Sequence, residues 1–85
     1  MERDCYFYSS RLGEVVICRN EERPSLWDLW IGEKLICPQH YNCPEEAALR
    51  ASERDFGDEE LNKTYVGLRV PENLDEWKLR ESIGA

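Results

Sequence analysis

Residues 37–43 read C-P-Q-H-Y-N-C, which puts two thiols and an imidazole within one short stretch. Zinc takes four Cys or His ligands in a tetrahedron. Cys37, His40 and Cys43 supply three candidates, and Cys5 or Cys18 is the candidate fourth. The C-x2-H-x2-C spacing differs from the paired-cysteine knuckles of structural zinc sites, and cysteine is common as a small buried hydrophobe. Zinc on Cys37, His40 and Cys43 therefore stands as an alternative, and no cofactor is required.

The same stretch suggests a second chemistry. Pro44 suits the first helical position, which makes Cys43 the N-cap. A helix N-terminus lowers a thiol pKa, whereas Glu45 and Glu46 disfavour a thiolate beside them. His40 is near enough in sequence to act as a base. Nothing in the sequence orients it, and no oxyanion donor is identifiable. The chain also lacks the phosphate-binding, dinucleotide, nucleophile-elbow and zinc-protease motifs. The expectation is a protein that is not an enzyme.

Charge gives a third constellation. The 85 residues carry a net −7, which argues against a nucleic-acid backbone and against an anionic membrane surface. From Pro44 to Glu60 there are seven acids and two arginines, a net of −5. Glu45, Glu46, Glu53, Asp58, Glu59 and Glu60 are therefore candidate contacts for a basic protein partner. A solvated outer face is the plainer reading. Such a patch could also imitate a nucleic acid and inhibit a protein that binds one.

Aromatics give the fourth. Trp27 and Trp30 are three apart on one expected strand and so point to opposite faces. If a helix covers one face, Trp30 or Trp27 is left on the other. An aromatic open face often marks an interface, and Trp30 is taken as the partner-binding residue. Cover by a C-terminal helix through Trp77 is the competing reading.

The elements that must position these residues follow from pattern. Cys5–Tyr8 and Glu14–Arg19 read as a β-hairpin. If Ser9 pairs with Glu14, then Tyr8 faces Val15, Phe7 faces Val16 and Cys5 faces Cys18. Leu26–Ile31 reads as a third strand and Leu35–Cys37 as a short fourth. Pro44–Phe56 is rich in helix formers. Ala48, Leu49, Ser52 and Phe56 lie on one side, with Ala47 and Ala51 beside them, and Gly57 is placed as the C′ residue. Asp58–Lys63 reads as a loop. Thr64–Val70 alternates as a half-buried strand does, and Asn73 to Glu76 has the form of a capping box before a helix over about 74–82.

The expected fold is one α+β domain over residues 1–85, in the order β-β-β-(β)-α-β-α. Its mostly antiparallel sheet has three to five strands, with a main helix on one face and a short C-terminal helix. Residues 1–8 contain no apolar leader, and no apolar run approaches a membrane span. A cytoplasmic location is expected, with reduced cysteines rather than disulfides. The expected function is a small acidic module that binds an unidentified protein partner through the acidic helix and loop or through the aromatic sheet face. No direct nucleic-acid or membrane contact is expected, and a homodimer through the sheet is a further possibility.

Overall fold

The computed structural model describes residues 4–36 and 40–81. Five antiparallel strands form one sheet in the order β4-β3-β2-β1-β5. They are β1 (Asp4–Ser10), β2 (Gly13–Arg19), β3 (Trp27–Ile31), β4 (Lys34–Leu35) and β5 (Lys78–Glu81). Two helices, α1 (Pro44–Glu53) and α2 (Glu59–Thr64), and a 3-10 turn (Leu74–Glu76) complete the fold, which is α+β. No helix among the described residues is long and apolar enough to cross a membrane.

The first hairpin has the register expected from its sequence: Ser9 opposite Glu14, Tyr8 opposite Val15, Phe7 opposite Val16 and Cys5 opposite Cys18. Its turn closes on Gly13, whose φ of 119° suits glycine. A Cβ there would stand 3.1 Å from the Cα of Gly32 in the neighbouring turn, so the two turns approach closely.

Alternation along β2 and β3 separates the faces of the sheet. Val15 and Ile17 are buried beside Ile31 and Leu29, their partners across the strands. Onto this face α1 lays Ala47, Ala48 and Ala51, all fully buried. Three alanines let the helix backbone sit low on the sheet. Tyr6, Tyr8 and Trp27 extend the same layer, and Trp77 joins it with its ring 5.8 Å from that of Tyr8.

Several elements depart from expectation. Leu49, placed inward by its spacing, is exposed, because the alanine stripe rather than the leucine side meets the sheet. α1 ends at Glu53, and Arg54 rather than Gly57 takes the left-handed cap with φ 56°. The early stop lets Phe56 leave the helix and enter the core, where it is fully buried. Asp58–Lys63 is not a loop, and Thr64–Val70 is not a strand. Asp58 caps α2 by accepting from the Leu61 amide, Glu59 and Glu60 sit in the first turn, and Lys63 sits in the last. These end effects, each favourable to a helix, outweigh the alternation downstream. Leu68 is buried while Val66 is exposed.

The C-terminal helix is likewise replaced. Asn73 caps as expected, but its side chain accepts from Asp75 N and only a 3-10 turn follows. The Trp77 indole N–H donates to Pro71 O at 3.0 Å. The chain then extends as β5, which pairs with the outer edge of β1 and supplies partners to backbone groups that an edge strand leaves unmet.

Candidate functional site

Among the described residues, α1 and Trp77 pack on the side of the sheet that carries Val15, Ile17, Leu29 and Ile31, and the other face carries a groove. By register, Phe7, Val16 and Trp30 form a row across β1, β2 and β3 on that face. The next row is Cys5, Cys18 and Asp28. A groove of about 1160 Å³ runs along the β2–β3 ladder, floored by Val16, Cys18 and Trp30.

At one end of this groove stands a polar network. Asp28 is buried, and its Oδ1 lies 2.7 Å from His40 Nδ1. Its Oδ2 accepts from Asn20 Nδ2 at 3.0 Å. Asn20 Oδ1 in turn accepts from the amides of Glu22 and Arg23, at 2.9 and 2.8 Å. One carboxylate thus ties the loop after β2 to β3 and to His40. A buried acid with both oxygens engaged is a satisfied group rather than a liability. Nothing in the sequence reading orients His40; the structure supplies Asp28 as its orienter. The carboxylate fixes the Nδ1–H tautomer and leaves Nε2 for an outside partner. Among the described residues no hydroxyl and no free thiol lines the groove, so none of them stands beside the dyad as a nucleophile.

The expected zinc ligands are placed as follows. Cys37 lies outside the described residues. His40 is held by Asp28, and Cys43 is a free thiol at the N-cap of α1, making no side-chain cap bond. Cys5 and Cys18 are joined in a disulfide, which corrects the expectation that they are reduced and removes both as the fourth ligand. Direct opposition in the hairpin brings their Cα atoms to 4.4 Å, the close spacing of a non-hydrogen-bonded pair and within reach of a bridge. Among the described residues no group of three His, Cys, Asp or Glu is arranged to hold a metal.

The acidic residues of the helices are dispersed in role. Glu45 and Glu46 occupy the first turn of α1, and Glu59 and Glu60 that of α2. Glu53 lies 3.8 Å from Arg50, which also reaches Asp55 at 3.3 Å. Asp58 is engaged as a cap. The structure does not gather these side chains around a cavity; the acids it gathers are Glu14, Glu21, Glu22, Asp28 and Glu33, along the groove. Sequence reasoning assigned these no role. The available signal was the parity of Asp28 with Trp30 on one strand.

Tyr41, next to His40, turns into the core. Its backbone makes a two-bond bridge with Trp27, its ring is 1% exposed, and its hydroxyl has no hydrogen-bond partner among the described residues. Burial raises its pKa from 10.0 to about 12; Asp55 and Glu46 add to the rise and Arg50 opposes it. A raised folded-state value means that the stabilising difference is complete below pH 10 and is lost as pH climbs towards 12. Urea midpoints should therefore fall across that window by the equivalent of about 1.4 kcal/mol per pH unit. Tyr41→Phe should flatten this part of the profile, and an unchanged slope would show that Tyr41 ionises freely in the folded protein.

Comparison of the chain with protein-family models, with curated proteins and with solved structures found no match, so the site is read from its own geometry.

Proposed function

We propose that this protein is a non-enzymatic interaction module that docks a protein partner on the open face of its sheet, with Trp30 at the centre of the contact. The observation that carries this reading is the one-sided cover. α1, Trp77 and the buried aromatic layer all occupy the opposite face, while Val16 and Trp30 floor an open groove. A partly buried tryptophan beside aliphatic surface is the composition of an interface centre. The acidic helices are the second candidate surface, but Glu53 and Asp58 already serve the fold.

The two surfaces are separated by two variants. A partner captured by the wild-type protein, identified by mass spectrometry and then purified, should bind Trp30→Ala at least ten-fold more weakly. It should bind Asp58→Ser/Glu59→Ser/Glu60→Ser within two-fold of wild type. The reverse pattern would move the interface to the helices. The disulfide bears on location: such bridges persist in oxidising compartments. A cytoplasmic protein would hold Cys5 and Cys18 as thiols, which alkylation of freshly lysed cells reads directly.

A further inference from the structure

Resting on the open-face reading, we infer that the groove accepts an extended basic segment of the partner, with cationic side chains at positions i and i+4 and an apolar side chain at i+2. The rows of the β2–β3 ladder define this spacing. The first row is Glu14 opposite Gly32, where the Gly32 amide donates to Glu14 O at 2.9 Å. Gly32 has no side chain, so this end stays open, and Glu33 flanks it. The second row is Val16 and Trp30, the apolar floor. The third is Cys18 and Asp28, with Glu22 tied close by through Asn20.

The first and third rows lie four residues apart along β2, about 14 Å in a strand. A segment lying extended along the groove repeats the same distance between its i and i+4 side chains, which share a face with i+2. Acids at both ends and an apolar middle thus select the pattern basic-x-apolar-x-basic.

Charge decides the occupant. Five carboxylates and one arginine line the groove. That arginine, Arg19, is turned to the other side of the sheet, its guanidinium 4.7 Å from the Trp27 ring and its Nη1 donating to Pro24 O. Asp28 is committed to His40 and Asn20. Glu14, Glu22 and Glu33 make no ion pair with another described residue, so their charge faces an incoming ligand. A second copy of a chain with net charge −7 would bring like charge to this rim and is disfavoured.

The test uses the synthetic peptide acetyl-G-R-S-V-S-R-G-amide, with the ¹⁵N-labelled 85-residue chain followed by NMR and by tryptophan fluorescence compared with Trp30→Ala. The expected result is saturable shifts at Val16, Trp30 and Gly32. Binding should weaken at least ten-fold when both arginines become citrulline, and several-fold when the arginines are moved to three-residue spacing. Glu14→Gln/Glu33→Gln should weaken the arginine peptide and leave the citrulline peptide unchanged. Equal binding of the two peptides, shifts confined to α1 and α2, or sedimentation showing a dimer that Trp30→Ala dissolves would overturn the inference. If Trp30→Ala abolishes capture of the native partner while the arginine peptide shifts nothing on the sheet, the basic-segment inference fails and the open-face reading stands.

Discussion

Phe56→Ala is expected to destabilise the protein by about 3–5 kcal/mol. The ring is fully buried and meets Tyr65 edge-on at a centroid distance of 5.8 Å. It reaches that place because α1 stops early. The Arg54 amide closes back on Ala51 O at 3.1 Å in the left-handed cap, and Arg54 Nη1 donates to Leu68 O at 3.2 Å. The Phe56 amide itself donates to Asn62 Oδ1 at 2.8 Å, which ties the residue to α2. Truncation leaves a cavity bordered by all these segments, none of which can close it without breaking its own bonds. An 85-residue domain has roughly 4–13 kcal/mol of stability in total, so the loss takes a large share. Trp30→Ala removes a larger side chain from the groove face and is expected to cost about 1–2 kcal/mol, less than a fully buried aromatic because Trp30 is only partly buried. Urea denaturation of the two variants side by side is the measurement. A loss below about 1 kcal/mol for Phe56→Ala would show that residues 54–68 do not close the core.

That contrast also marks what the sequence made legible. The hairpin register followed from a two-residue period and a turn glycine, and it placed Cys5 opposite Cys18 without reference to any long-range contact. α1 followed from Pro44 and its two glutamates. Residues 58–70 misled because two signals competed there. Alternation from Thr64 to Val70 spoke for a strand, while Asp58, Glu59, Glu60 and Lys63 spoke for a helix through its ends, and the ends prevailed. β5 was illegible for another reason. Lys78–Glu81 has no strand composition of its own, and it extends because the free edge of β1 offers backbone partners. The polar network depends on tertiary contact in the same way. Asn20, Asp28 and His40 stand far apart in sequence, and only the β2–β3 register together with the return of the chain through Tyr41 brings them to one carboxylate. Trp30 was visible as a side-chain parity, but which of the two tryptophans stays uncovered depends on the side of the sheet that α1 occupies, and parity does not encode that.

Reducing the Cys5–Cys18 bridge, or replacing both residues in Cys5→Ser/Cys18→Ser, is expected to lower stability by about 3 kcal/mol. The bridge spans a sequence separation of 13, and in the chain-entropy view it acts chiefly by restricting the unfolded state. The folded hairpin does not need it for register. Tyr6, Phe7 and Tyr8 stand opposite Ile17, Val16 and Val15 in the β1–β2 ladder, and β5 and β3 hold the outer sides of β1 and β2. Two results should therefore occur together. Urea midpoints should drop under reductant to the value of the double serine variant, with quantitative alkylation rising by two thiols. Under the same conditions, below the transition, the shifts of Val16, Trp30 and Asp28 should move little and affinity for the arginine peptide should remain within about two-fold, since the groove is built on β2–β3 pairing and on the Asp28 network rather than on the sulfur bridge. A midpoint indifferent to reductant would mean that the bridge does not form in solution. Loss of the groove together with the bridge would mean that Cys18, in the row beside Trp30, positions the site as well as stabilising the chain. The separation of the two readouts is what the register predicts: the disulfide lies across β1 and β2, the groove lies across β2 and β3, and Cys18 on the central strand is the one groove residue they share.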